Sequence, residues 1–119
     1  MMLIYSREDE GASEEELRGV ATAHRALMDE TKSKGIFLAA DPLEPTVTAT
    51  TVRVDRGRVM ITDGPFAETK EQLAGYYILD CENLDDALSW AARIPTGCQG
   101  GVGCIEVRPI REMSRTAHS

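Results

Sequence analysis

The run GYYILDC, residues 75–81, is apolar or aromatic in both phases of its alternation. Read as a strand, it sends Tyr76 and Ile78 to one side and Tyr77 and Leu79 to the other. Both sides then need cover, because a large exposed apolar patch is rare on a soluble monomer. This requirement constrains the chain more than any other feature, because the remaining sequence offers only two helical segments to meet it.

The first helical segment is residues 14–34. Ser13 followed by Glu16 is a capping-box pattern, and Glu14, Glu15 and Glu16 suit the positive end of the helix dipole. Leu17, Val20, Ala21, His24, Leu27, Met28 and Thr31 then recur at helical spacing, and Gly35 fits the C-terminal cap. The second is LDDALSWAARI, residues 84–94, capped by Asn83 and stopped by Pro95, with Leu84, Ala87, Leu88 and Ala91 on one face. Strand-like runs surround them: MLIY at 2–5, IFLAA at 36–40, TVTATTVRV at 46–54, RVMIT at 58–62 and CIEVRPI at 104–110. The DRG between TVTATTVRV and RVMIT predicts a hairpin.

The expected fold is therefore α+β, with an antiparallel sheet and both helices on one face. The other sheet face is left bare, and a second copy packed sheet to sheet is the simplest cover, so a homodimer is expected. One domain spans residues 1–110, and 111–119 reads as a flexible tail.

Composition narrows the function classes. The net charge is −7, which argues against a nucleic-acid partner. No apolar run approaches the roughly 18 residues of a membrane span. MMLIYSREDE lacks the basic start of a signal peptide, so a cytoplasmic location is expected. The cysteines are Cys81, Cys98 and Cys104. An odd count favours free thiols, with a Cys98–Cys104 disulfide as the rival. Only His24 and His118 could add histidine ligands, so no metal is expected, and no cofactor motif is present. GCQGGVG follows a helix and does not match a dinucleotide loop.

The segment DGPFAETKEQLAGYYILDC, with the opening MLIY, the TATTVRV strand and the closing EVRP, resembles the YCII-related, or DGPF, family from Met2 to Ile110. The resemblance implies a ferredoxin-like sandwich that dimerises through its sheets into a barrel-like core. Some relatives are lyase-like or dehalogenating enzymes with a proposed His–Asp pair. Others accompany extracytoplasmic-function sigma factors. Two functions follow: binding or acid–base turnover of a small polar or aromatic metabolite, or accessory contacts to a sigma factor without catalysis.

Site candidates follow from the same residues. His24 corresponds to the helix histidine of the family and suits general acid–base work. Its partner is Asp63, at the end of a strand in the DGPF segment, or Asp41, in AADP. Asp63 reads first as a turn cap, and a lone histidine such as His24 on an apolar helix face is more often a core residue than a catalyst. Arg53, Phe66 and Tyr77 are ligand-binding candidates, with Phe66 also placed as a core anchor.

Overall fold

The computed structural model describes residues 1–8, 13–96 and 103–112. The elements are β1 (Met2–Ser6), α1 (Glu14–Ser33), β2 (Phe37–Pro42), β3 (Thr50–Asp55), β4 (Arg58–Asp63), β5 (Gln72–Leu79), α2 (Leu84–Ala91) and β6 (Gly103–Val107). Four strands form an antiparallel sheet in the order β2-β5-β1-β6. β3 and β4 form a separate two-stranded hairpin. The result is an α+β protein with antiparallel sheets and two helices, compatible with a ferredoxin-like fold.

Local chemistry accounts for the helix ends. Ser13 accepts a bond from the Glu16 backbone at 3.1 Å, while its hydroxyl meets the Glu16 carboxylate at 3.2 Å. α1 closes on Lys34, and Gly35 leaves it at φ +74, a left-handed geometry that costs glycine little. Asn83 caps α2 by accepting the Asp86 N–H at 2.8 Å. Ala92, Arg93 and Ile94 continue past α2 as a turn rather than as helix, and Pro95 follows.

The core is Met2, Ile4, Leu27, Tyr77, Trp90, Ala91 and Ile94. One strand phase of β1 and the buried sides of both helices meet in this cluster, so both helices lie on one face of the sheet. Thr31 is fully buried, and its hydroxyl donates to the Leu27 and Met28 carbonyls at 2.9 and 3.0 Å. Arg93, in the turn after α2, donates to the Glu30 carboxylate of α1 through two bonds of 2.6 and 2.7 Å.

Several expectations change in detail. α2 buries Trp90 and Ala91 and partly buries Ala87, whereas Leu84 and Leu88 are exposed. The run at 46–54 splits: Thr46–Thr48 form a 3-10 turn, and the strand starts at Thr50. There the Thr48 hydroxyl bonds the Pro45 carbonyl, a local alternative to strand pairing that threonine offers. β5 begins at Gln72, three residues before GYYILDC, and ends at Leu79. The β1–β5 register slips between Ile4 and Tyr5, where Gly75 and then Leu73 are the partners. That bulge breaks the alternation that would have marked the strand's start. Cys98, His118 and most of the GCQGGVG loop lie outside the described residues, as does the tail beyond residue 112.

Candidate functional site

α1 does not lie flat on the sheet along its whole length. Its later residues Leu27 and Thr31 are buried, but Leu17 near its start remains 53% exposed. Leu17, Val20, Ala21, His24 and Met28 instead form one wall of a cleft of about 430 Å³. The opposite wall is sheet, with Ile4, Ser6, Ala40, Gly75 and Tyr77. The apolar stripe of the helix is thus core over its second half and pocket lining over its first.

His24 is the polar centre of this cleft. Its Nδ1 lies 2.7 Å from the Tyr77 hydroxyl, and the two rings stack at 5.8 Å between centroids. The same hydroxyl reaches the His24 backbone carbonyl at 3.4 Å. The register of β1 and β5 sets Tyr77 opposite Met2, on the helix-covered face, and so aims it at α1. Burial holds the imidazole below its ordinary pKa of 6.5 and pushes the Tyr77 phenol up to about 12. Near neutral pH the pair is an uncharged imidazole beside a protonated phenol. Nε2 makes no hydrogen bond among the described residues.

Asp41 lines the same cleft, and its Oδ2 accepts the Tyr76 hydroxyl at 2.6 Å. That bond, followed by burial, raises the Tyr76 pKa. Gly75 is required between them: a Cβ there would come within 2.8 Å of the Asp41 carbonyl oxygen. His24 and Tyr77 therefore meet inside the cleft, whereas the Asp41 carboxylate is turned to Tyr76, on the opposite sheet face.

The other sequence candidates lie elsewhere. Asp63 ends β4 and lines a second, open hollow with Arg7, Glu8, Thr46, Lys70 and Gln72. It does not share the His24 cleft. Gly64 turns the chain at φ +97, its N–H donating to the Ala49 carbonyl at 2.7 Å and its own carbonyl accepting the Thr51 hydroxyl. Phe66 does not anchor the core; it is 78% exposed. It follows the Gly64 turn at the base of the hairpin, where the core does not reach. Arg53 is exposed on β3. Among the described residues, no group of three His, Cys, Asp or Glu side chains could hold a metal ion. No described helix is long and apolar enough to cross a membrane.

The family model of the YCII-related domain matches residues 1–114. The chain belongs to the YCII-related domain family. It is also similar to an uncharacterized protein of Rhizobium meliloti (strain 1021), 47% identical over 68 residues, which are 57% of this chain and 54% of that protein. The chain thus spans about half the length of this curated relative. Among YCII-related chains, then, this one presents a histidine–tyrosine pair in a cleft. The sequence marked His24 by its helical spacing but gave no means of pairing it with Tyr77. Adjacent tyrosines at 76 and 77 point to opposite faces, and only strand register tells which one faces the helix.

Proposed function

We propose that this YCII-related protein binds a small aromatic or polar metabolite in the His24 cleft and that His24 performs acid–base chemistry on it. The carrying observation is the 2.7 Å contact between His24 Nδ1 and the Tyr77 hydroxyl at the wall of a 430 Å³ cleft. That volume falls within the usual range for small-molecule sites, which pair apolar walls with a few convergent polar groups. A neutral imidazole can accept a proton near neutral pH. With Nδ1 engaged by Tyr77, Nε2 is the nitrogen that faces a ligand. With Nδ1 donating to the phenol oxygen, Nε2 keeps its lone pair and acts as base, and the imidazolium this forms then returns the proton from Nε2 as acid. An elimination of the lyase kind needs both roles. The Asp41 carboxylate is engaged by Tyr76 on the other sheet face, so the partner of His24 in this reading is Tyr77 rather than an aspartate.

We also infer a homodimer through the uncovered face of the four-stranded sheet. Leu3, Tyr5, Leu73, Tyr76 and Ile78 belong to that face by register, and a second copy would bury them.

Thermal-shift screening against small aromatic acids, hydroxy acids and halogenated acids tests the ligand reading, because a bound ligand raises the melting temperature by mass action. The expected result is a hit whose shift disappears in His24→Gln and Tyr77→Phe while both variants stay folded. Hits that bind both variants unchanged refute it. A screen without hits, alongside capture of a purified extracytoplasmic-function sigma factor, would favour the accessory reading.

A further inference from the structure

Ser6 closes β1 in the same phase as Met2 and Ile4, the strand residues buried against the helices. It is 8% exposed and lines the His24 cleft. Its hydroxyl makes no hydrogen bond among the described residues. A buried hydroxyl ordinarily has a partner, because leaving it unbonded costs free energy. Every fully enclosed side-chain oxygen or nitrogen among the described residues has one, so the Ser6 hydroxyl is not enclosed: what exposure it keeps opens on the cleft. A second side chain there is unengaged. Arg25 lines the cleft on the flank of the α1 stripe that carries Ala21 and Met28. Asp29 stands one turn further along α1, the spacing at which a helix pairs opposite charges. The ion pairs of the described residues are nevertheless Arg18 with Glu14 and Arg93 with Glu30. With His24 uncharged, Arg25 is the only cation among the described residues of the lining.

We propose that Arg25 and Ser6 are the specificity residues of the cleft, and that its ligand is a small monocarboxylic acid carrying a second oxygen; this rests on the ligand reading above and narrows it. The planar guanidinium of Arg25 matches a carboxylate through two parallel, charge-assisted hydrogen bonds. Asp41 does not compensate it inside the cleft, because its carboxylate is turned to Tyr76 on the other sheet face. Arg25 is exposed and Ser6 buried, so the carboxylate sits at the mouth and the second oxygen, a hydroxyl or a carbonyl, meets Ser6 further in. Ile4, Leu17, Val20 and Met28 leave the remainder of the ligand apolar. A phosphate fits less well. Its second charge asks for a further cation or for free backbone N–H groups, and Arg25 lies within α1, past the first turn where such groups are free.

The test titrates the full-length protein with two sets of probes and follows its amide resonances by NMR. One set is mandelate, mandelamide and phenylacetate; the other is 4-hydroxybenzoate, 4-hydroxybenzamide and benzoate. In at least one set the hydroxy acid is expected to bind about tenfold more tightly than its amide, and severalfold more tightly than the acid without the hydroxyl. Arg25→Gln should abolish the preference for acid over amide. Ser6→Ala should abolish the preference for the hydroxyl. Its melting temperature without ligand should hold or rise, because the lost hydroxyl leaves no described protein group unpaired. Acid and amide of equal affinity, or inorganic phosphate binding more tightly than either, overturn the subsite and leave the ligand reading standing. A Ser6→Ala variant that melts lower yet binds as the wild type does makes Ser6 structural and overturns its role. Binding by none of the probes overturns the subsite as well, while the ligand reading is judged by its wider thermal-shift screen. Should either variant misfold, intermolecular NOEs in the wild type decide the question. Contacts from the bound acid to Ser6 and Arg25 support the subsite, and contacts elsewhere overturn it.

Discussion

His24 has a measurable consequence for acid stability. In the unfolded chain the imidazole binds its proton near pH 6.5; in the folded chain burial delays that step to lower pH. Below pH 6.5 the unfolded state therefore holds more protons, and stability falls as the pH drops through that window. Melting temperatures measured from pH 7.5 to pH 5 should fall less in His24→Gln than in the wild type. Parallel curves would mean that the folded protein charges the imidazole freely. The same residues mark what was legible one side chain at a time. His24 was, because helix spacing fixes its face. Phe66 was not, because hydrophobicity reports a wish for burial without naming which surface supplies it. Asp63 was half legible: the turn is real and rests on Gly64, but the carboxylate makes no side-chain hydrogen bond among the described residues.

Elements were read well where a local rule governs them and poorly where a neighbour does. The Ser13 cap, the Asn83 cap and the hairpin turn at Arg56 and Gly57, both at positive φ, are local. Ser13→Ala should cost about 1 kcal/mol in chemical denaturation, the usual worth of an N-cap. The start of β5, the split at Thr46–Thr48 and the buried side of α2 depend on partners, and spacing alone misplaced all three. Gly103 is the clearest case of a neighbour's demand. A Cβ there would press into the Tyr5 carbonyl oxygen and lie 2.9 Å from the Thr96 carbonyl oxygen. Gly103→Ala should therefore destabilise the protein by about 1–3 kcal/mol, the range for overpacking a tight site. A loss below a few tenths in urea titration would mean that β6 can shift away from β1 freely.

At the scale of the molecule, the sequence announced more apolar surface than two helices can cover, and the single chain bears this out. Among the described residues its buried apolar core amounts to seven side chains, while large apolar side chains such as Leu38, Val47, Ile61 and Phe66 stay exposed. Association should then contribute to stability, and the melting temperature should rise with protein concentration, as it does for any folded state held by mass action. A melting temperature constant from 1 to about 100 μM, well within reach of scanning fluorimetry, would contradict this.

β1 sits between β5 and β6, so it is hydrogen-bonded only to strands made much later. On the ribosome, Met2 and Ile4 leave the exit tunnel long before Tyr77 or Ile105 exists to receive them. The nascent chain must keep its central strand unpaired while α1, β2 and the hairpin are synthesised. Pairings that distant in sequence form slowly, and the waiting intermediate exposes apolar edges to aggregation. A holding chaperone would shield those edges until β5 and β6 are made, and faster translation would shorten the wait.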